Sequence, residues 1–379
     1  MPDNQAQVVV AGHICLDVIP QFPAGSLELS PGALIKVGPA IRSTGGAVAN
    51  TGLALHRLGF KVRLAGKVGN DLFGREILTI LRQHGARLAD GMIVSKSDVS
   101  SYTVVISPPG VDRTFLHCPG ANDTLKSRDF PSSTFAGAKL LHFGYPPLMR
   151  QMYLNDGHEL SQLLGRAKKA GPTTSLDMAE PDAASEAGRV DWPALLRQVL
   201  PHVDLFVPSV QEILFMTDRP SWKKITQKHG AIHIARDVDW ALLRKLSERL
   251  LNWGAAVVMI KLGDQGAYLR TTGDPKRLLR MGHCRPTDAN AWLGRELVAP
   301  CFRAKVVGTT GSGDCTIAGF LGGLLKGLCA EGCLEAAVAV GAASVEAADA
   351  TSGVPTWAAI QSRLRAGWRA QPTCLEQSE

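Results

Sequence analysis

The sequence predicts an α/β protein with a doubly wound, mostly parallel sheet and a small β lid beside it. The main observation is a repeated alternation of short apolar segments with longer segments of helical periodicity. The short segments are apolar on both faces, which is typical of strands buried between two layers of helices. Two stretches break the alternation, one of them with a hairpin pattern, and these predict the lid.

The N-terminal part of the chain supplies the first units of this alternation. The opening run QVVVAG is β-branched and ends in glycine, so it predicts a buried strand. A helix is predicted from Gly46 through ANTGLALHRLG, with Gly59 as its stop signal. The run VRLAGKVG predicts another strand. Asp71 then stands at the N-cap position of a second helix, which Gly85 closes.

The alternation continues through the middle of the chain. Strands are predicted at AKLLHF, TTSLDM, VDLFVP and AAVVMIKLG, and helical segments at 149–170, at QEILFM and at 238–252. In a sheet of this kind, ligands bind beyond the carboxyl ends of the strands. We therefore expect the loops that follow the strands, and not the core, to carry the chemistry.

The lid is predicted from two segments. Residues 14–42 are rich in Pro and Gly, while SYTVVIS and RTFLHC, within residues 100–118, flank the turn PPGVD and predict a β-hairpin. Together they are expected to cover the ligand edge of the main sheet. If the chain forms a homodimer, we expect the outer face of this lid to pair the subunits.

The whole chain, residues 1–379, is interpreted as one domain. Within it, residues 219–237 and 272–300 are interpreted as long irregular insertions and residues 366–379 as a polar tail. These three segments carry no predicted function.

Charge and hydropathy exclude several classes of protein. The 41 basic and 34 acidic residues give a net charge of +7 but form no dense block, so no nucleic-acid partner is expected. No apolar run is long enough to span a bilayer, and the polar start MPDNQAQ is unlike a secretory signal. We therefore expect a cytoplasmic protein without a membrane partner.

Cysteine and histidine patterns do not predict a metal centre. The eight cysteines include no CxxC pair, which favours reduced thiols in a chain of this length. His229 and His233 have the i, i+4 spacing of a metal site, but no third ligand accompanies them. A pair of surface histidines is therefore the preferred interpretation.

The strongest local signal is GTTGSGDC, residues 308–315, directly before a helical run. Glycines and small hydroxylated residues at a helix start let backbone amides bind an anion such as phosphate, and the helix dipole adds to them. Asp314 at this positive end is a candidate base for an attacking hydroxyl, or alternatively an aspartate that only caps the helix. The segment matches neither GxxxxGK[ST] nor GxGxxG.

A second group of residues predicts a polyol pocket. Asp17 follows the first strand, and Gly45, Gly46 and Asn50 stand at the start of the first long helix. Carboxylate and amide groups can accept and donate hydrogen bonds to hydroxyls, and glycines let the backbone come close. Each residue also has a structural interpretation: a turn aspartate, a tight glycine turn and a polar group at a helix start.

These segments together carry a resemblance. GGAVANTGLALHRLG followed by GKVGNDLFG, with TTGSGDCTIAGF near the C-terminus, resembles the two signatures of the ribokinase-like carbohydrate kinases, the PfkB family. The resemblance extends from about residue 7 to about residue 358. It implies a ribokinase-like fold and transfer of the γ-phosphoryl group of ATP, with Mg²⁺, to a hydroxyl of a sugar or related polyol.

The resemblance also implies roles for residues that match the family's motifs. Asp314 matches the catalytic base, and Glu212 matches the acidic residue that organises Mg²⁺ through water. The remaining matches are Gly311, Ser312 and Gly313 in the anion hole, Asp17, Gly45, Gly46 and Asn50 around the substrate, and Lys261, Gly263 and Gly266 near the nucleotide. Ser209 occupies a further position near the nucleotide, with a residue that differs from the family's. For Lys261, a surface residue at a strand end is the alternative.

Three positions depart from the family's pattern. Gly308 stands where many members carry an Asp that helps to bind a monovalent cation, so potassium activation is in doubt. Ser209 replaces an Asn, which weakens the expected contact near the phosphates and Mg²⁺. Cys15 replaces another Asn, so the sugar contacts are expected to differ from those of ribokinase.

Three functions remain open from the sequence. The preferred one is a sugar or polyol kinase. A nucleoside kinase of the same family would need an aromatic residue of the lid to stack on a base, and Tyr102 and Phe115 are the candidates. A non-catalytic sugar-binding protein on this fold is the third. His142 and Tyr145, in the loop HFGYPPLM, are candidate substrate contacts, although a packed, proline-stiffened loop is the preferred interpretation.

Overall fold

The computed structural model describes residues 6–23, 31–108, 114–229 and 231–375, with the side chains at 228, 229 and 231–233 left out. Its strands are β1 Val8–Gly12, β2 Cys15–Pro20, β3 Ala40–Gly45, β4 Val62–Ala65, β5 Lys67–Gly69, β6 Ile93–Ser95, β7 Tyr102–Ile106, β8 Thr114–Cys118, β9 Leu140–Gly144, β10 Thr173–Leu176, β11 Leu205–Phe206, β12 Val257–Lys261, β13 Ala267–Thr271 and β14 Glu296–Ala299. Its α-helices are α1 Ala47–Arg57, α2 Leu72–His84, α3 Arg150–Tyr153, α4 His158–Lys169, α5 Trp192–Val199, α6 Val210–Thr217, α7 Arg219–His229, α8 Trp240–Asn252, α9 Pro275–Leu279, α10 Ser312–Leu325, α11 Ala330–Ser344 and α12 Trp357–Arg365.

The main sheet has eight strands in the order β14-β13-β12-β11-β10-β9-β1-β4. Every neighbouring pair from β12 to β4 is parallel, and β13 and β14 add antiparallel strands at one edge. All five residues of β1 are buried, as are those of β9 and β12, because helices cover both faces. The predicted fold class is therefore confirmed.

The lid is a separate four-stranded sheet in the order β3-β2-β7-β8. The antiparallel pair β7 and β8 forms the predicted hairpin, and β2 lies beside β7. Most of the turn PPGVD lies outside the described residues. The run VRLAGKVG was predicted as one strand, which is wrong: the chain leaves the main sheet after β4, and β5 pairs with β6 in a small sheet of its own.

Successive lid residues point to opposite faces, and this decides which side chains can meet a ligand. Asp17 is the register partner of Thr103, and Thr103 is the partner of His117, so these three share one face. Tyr102 lies on the other face, where its ring stands 5.0 Å from that of Phe73 in α2. We call the first the inner face.

The lid joins the body at a corner where separate chain segments are hydrogen-bonded together. Asn122 is fully buried; its amide group accepts from Ile14 N (3.3 Å) and donates to Ile14 O (2.9 Å). Beside it, Leu16 N donates to Ser101 O (3.0 Å) and Ala121 N to Val99 O (2.8 Å). The two connections into β2 and β7 and the one out of β8 are therefore tied to one another.

The predicted helix starts and ends are confirmed where the signals were local. Asp71 caps α2, since its side chain accepts from Gly74 N (2.7 Å), and Gly85 ends that helix. The helices α1 and α10, which hold the two signature motifs, pack against each other. This packing brings together Asn50 in α1 and Asp314 in α10, which are 264 positions apart in the sequence.

The three segments interpreted as irregular or polar have more structure than predicted. Residues 219–237 contain α7 and a short 3₁₀ segment, and 272–300 contain α9 and the edge strand β14. In the tail, the Trp368 ring stacks on Phe302 (4.8 Å between ring centroids), and Leu375 is buried. The interpretation of residues 219–237 and 272–300 as irregular was wrong, because these segments contain helices and a strand. The described part of the tail packs against the domain through Trp368 and Leu375.

Two expectations about composition can also be compared with the structure. All eight cysteines are free, as predicted. The side chains of His229 and His233 lie outside the described residues, so their interpretation stays a prediction. In the described part of the chain, no helix combines the length and apolar character that crossing a bilayer requires.

Candidate active site

The predicted site residues meet at the carboxyl edge of the main sheet, between that sheet and the lid. The loops after β1 and β9, the end of β12 and the N-termini of α1, α6 and α10 converge there. This is the edge at which a doubly wound sheet binds its ligands. The site has a central carboxylate, an end under the lid that we call the lid end, and an end rich in charged groups beside β12.

Asp314 is the central carboxylate, and it is only 3% exposed. Its Oδ2 accepts hydrogen bonds from Asn50 Nδ2 (3.0 Å) and the Tyr145 hydroxyl (2.6 Å), and its Oδ1 accepts from Thr51 Oγ1 (3.1 Å). The N-cap residue of α10 is Gly311, and no side chain caps this helix. The alternative that Asp314 only caps the helix is therefore wrong, because its carboxylate is held by α1 and by the loop after β9.

Tyr145 was a candidate substrate contact in the sequence, although a packed loop was preferred, and the structure places its hydroxyl on Asp314. The chain turns after β9 with Tyr145 in the left-handed region (φ 66°), which directs its hydroxyl to Asp314. Such a conformation is uncommon for a bulky residue and concentrates at functional sites. Burial and the nearby Asp314 charge raise the pKa of the phenol, so it stays a donor. His142, the other candidate in this loop, is buried within β9 against Ser175.

If Asp314 is the base that the resemblance implies, we expect Tyr145→Phe to lower kcat by about tenfold, because Asp314 loses a charge-assisted hydrogen bond that holds its carboxylate in place. The KM for ATP should not change. Steady-state kinetics would measure both values. Tyr153→Phe is the matched control, since the Tyr153 hydroxyl bonds Glu186 away from this site. Equal kinetics for the two variants would show that Tyr145 does not position Asp314.

The lid end contains Asp17, in β2 on the inner face of the lid. Cys15 donates its thiol hydrogen to Asp17 Oδ1 (3.3 Å). A Cβ at Gly45 would stand 2.4 Å from Asp17 Oδ2, so a side chain at this position would displace the Asp17 carboxylate. Burial raises the pKa of Asp17 to about 6. Asp17 is part of a strand, so the alternative of a turn residue is wrong.

His13 is a site residue that the sequence interpretation missed. It follows β1 and lies against the N-cap residue of α1, Gly46, which has φ 90°; a Cβ there would stand 2.5 Å from His13 Nδ1. His13 is 2% exposed, and neither ring nitrogen has a hydrogen-bond partner among the described residues. Its position directly after the first strand is the signal that would have identified it.

Lys261 and Glu212 lie at the other end of the site. Lys261 Nζ bonds Asp177 Oδ1 (2.7 Å), and both side chains are buried, so the alternative of a surface lysine is wrong. Burial opposes the charge on Lys261, but the carboxylates of Asp177 and Glu212 outweigh it and raise the pKa of the ammonium. Ser209 and Glu212 form a capping box on α6: Glu212 Oε2 accepts from Ser209 N (2.7 Å).

The segment before α10 faces this lysine. A Cβ at Gly313 would stand 3.8 Å from Lys261 Nζ, which places the ammonium beside the start of the helix. The Ser312 amide donates to Thr309 O (3.3 Å), so this one of the three predicted anion-binding amides is already engaged. Gly308 lies close to the Ala348 and Ala347 carbonyls (2.7 and 3.0 Å from a Cβ), so a side chain there would require the backbone to move.

Gly263 and Gly266 form the turn between β12 and β13, next to Lys261. Both have positive φ (58° and 98°), and a Cβ at Gly266 would collide with Ala299 O. Their identity as glycine is therefore explained by the turn itself. Within the described part of the chain, no three His, Cys, Asp or Glu side chains are placed to hold a metal ion directly.

Comparison with known proteins gives the family. Residues 5–357 match the model of the pfkB family carbohydrate kinases. The chain is 27% identical over 347 residues to a 2-dehydro-3-deoxygluconokinase of Bacillus subtilis (88% of this chain, 90% of the relative). It is 26% identical over 329 residues to fructokinase-1 of Zea mays (86% and 84%).

Solved structures show the same fold. Fructokinase from Xylella fastidiosa with bound ATP superposes with a TM-score of 0.69 and 19% identity, covering 96% of this chain and 99% of the other. Arabidopsis thaliana ribokinase complexed with ribose and ATP gives a TM-score of 0.70 and 18% identity, covering 95% and 99%. The chain therefore belongs to the pfkB family of carbohydrate kinases, and it is a sugar phosphotransferase with the ribokinase-like fold.

Proposed function

We propose that this enzyme transfers the γ-phosphoryl group of ATP to a hydroxyl of a sugar or related polyol, with Asp314 as the catalytic base. The observation that carries the proposal is the setting of Asp314. It lies in the first turn of α10, is held by donors from two other elements, and stands between the lid and the buried lysine. A carboxylate so placed can take a proton from an acceptor hydroxyl at the point where phosphate arrives.

In this proposal the lid end of the site binds the sugar, and the end beside β12 binds the phosphates of the nucleotide. Asp17 and Asn50, with the backbone at Gly45 and Gly46, would bind the sugar under the lid. The amides of Gly311 and Gly313 and the positive end of α10 would stabilise the charge that develops on the transferred phosphoryl group. Lys261 would add a fixed positive charge beside them, and the turn at Gly263 and Gly266 would lie along the nucleotide.

Mg²⁺ would supply further charge neutralisation when bound with ATP. The residues at this end fit such an ion: Asp177 Oδ2 is buried and has no partner among the described residues, and Glu212 lies close enough for their charges to interact. Carboxylate oxygens and water are the ligands that Mg²⁺ prefers. Glu212 would act through water, because one of its oxygens is engaged in the capping box.

The nucleoside kinase remains the second candidate, and the lid geometry separates its two aromatic residues. Tyr102 lies on the face opposite Asp17 and packs on Phe73, so it does not fit the stacking role. Phe115 is two residues from His117 on the inner face and is 56% exposed, so it keeps that role. A non-catalytic sugar-binding protein is disfavoured because Asp314 and Lys261 are both in place.

Incubating the protein with ATP, Mg²⁺ and a panel of sugars and nucleosides tests the proposal. We expect ADP formation and a phosphorylated product with at least one sugar, detected by a coupled assay and by mass spectrometry. Product only with nucleosides would favour the second candidate. Binding of sugar without any ADP formation would overturn the assignment as an active kinase in this form.

The proposed role of Asp17 predicts a pH dependence. Because burial raises the pKa of this carboxyl to about 6, Asp17 is protonated at pH 5 and mostly ionised at pH 7. The ionised form accepts hydroxyl protons, so the KM for the sugar should fall as pH rises from 5 to 7, with a midpoint near 6. The KM for ATP should not follow this profile. Asp17→Asn should remove the dependence; its persistence in that variant would assign it to another group.

A further inference from the structure

We propose that the acceptor is a neutral sugar or polyol and not a sugar acid, and that His13 and His117 select it. This inference rests on the proposed function and specifies its substrate. The two relatives described above are named for acceptors of different charge: 2-dehydro-3-deoxygluconate is a carboxylate, whereas fructose is neutral. The chain is almost equally similar to both, so the choice must come from the site.

The buried imidazole of His13 has no hydrogen-bond partner among the described residues. Its ring lies between the lid and the catalytic side, with centroids 5.4 Å from His117 and 6.0 Å from Tyr145. Burial lowers its pKa to about 3, so the ring is neutral and carries one N–H donor and one acceptor nitrogen. A buried polar group without a partner is destabilising, and a bound ligand that supplies the missing hydrogen bond recovers this free energy.

A second histidine, His117 on the lid, lies beside His13. His117 Nδ1 bonds Thr103 Oγ1 (2.9 Å), and both share the inner face with Asp17. Burial also lowers the pKa of His117. The groups on both sides of His13 are therefore neutral donors and acceptors of hydrogen bonds, together with the Asp17 carboxylate.

The charge around these residues also bears on the acceptor. Among the described residues, no lysine or arginine contributes to the pKa shifts of His13, Asp17 or His117. A ligand carboxylate can only accept hydrogen bonds, would leave the acceptor nitrogen of His13 unpaired, and would be repelled by Asp17 and Asp314. A hydroxyl both donates and accepts, so neighbouring hydroxyls of a neutral sugar satisfy this set of groups.

Comparing acceptors of matched size tests the inference on the unmodified protein. At pH 7.5 we expect kcat/KM for fructose, ribose or another neutral sugar to exceed that for 2-dehydro-3-deoxygluconate and gluconate by at least about a hundredfold, as expected when a buried charge lacks a partner. Comparable or faster turnover of the acids would overturn the inference and leave the proposed function standing. Failure to phosphorylate any sugar would overturn both.

Variants test the histidines directly. His13→Leu should raise the KM for the neutral sugar at least about tenfold and leave the KM for ATP unchanged, whereas His13→Asn, which keeps a donor and an acceptor, should recover part of the loss. His84→Leu, on α2, is the matched control. If His13→Leu fails to fold, as its melting temperature would show, His117→Leu on the lid provides the same test. Unchanged sugar KM values in folded variants would contradict the role of these residues.

Discussion

Asp314→Asn is expected to lower kcat by about a hundredfold or more while binding of sugar and ATP stays nearly intact. The amide has the same shape as the carboxylate, and it keeps an oxygen that can accept from Asn50 or Thr51. What it loses is the ability to take a proton from the acceptor hydroxyl. The variant therefore isolates the chemical step from substrate binding.

The measurement is kcat with the best acceptor from the sugar panel, together with ligand affinities from calorimetry. Asp90→Asn is the matched control, because Asp90 is an exposed carboxylate paired with Arg87. It should leave kcat unchanged. Full activity of Asp314→Asn would remove this residue as the base, and equal loss of binding and turnover would indicate a structural role instead.

Lys261→Met is expected to lower the free energy of unfolding by about 3–5 kcal/mol, because it leaves Asp177 as a buried charge without its partner. Activity should also be lost, since the ammonium lies beside Gly313 at the start of α10. Adding Asp177→Asn removes the uncompensated charge. The double variant Lys261→Met/Asp177→Asn should therefore recover part of the stability but none of the activity.

Urea unfolding and steady-state kinetics of the single and double variants separate the two roles of Lys261. Arg87→Met is the control, because both side chains of its ion pair with Asp90 are exposed and the pair should contribute less than about 1 kcal/mol. Recovery of activity along with stability in the double variant would show that Lys261 only balances Asp177. A single variant as stable as the parent would contradict the buried ion pair.

The fold was predictable where a short stretch of sequence carries the whole signal. The buried strand VVVAG, the Asp71 cap and the glycine-rich start of α10 are local patterns, and the structure contains each of them. The residues 219–237 were harder, because their polar composition conceals α7, which is held by contacts to α6 that lie outside its own pattern. Local periodicity is weakest where packing decides the structure.

The candidate site shows the same limit. Asp314 and Asn50 could be named from motifs, but the bond between them joins residues 264 apart. Tyr145 and His13 could at most be singled out because each follows a strand, and the place of each in the site becomes clear only when the ends of β9 and β1 are brought together. A single sequence does not encode that proximity in any local pattern.

The hydrogen-bonded corner around Asn122 has a mechanical consequence for the lid. Because Asn122 clamps Ile14 on both of its backbone groups, the passages into β2 and out of β8 are fastened at one point. If the lid moves, this corner would act as its hinge, so displacements would be smallest beside Asn122 and would increase with distance from it. His13, beside this hinge, would move little, whereas Phe115, farther along the lid, would move most as the lid closes over the sugar.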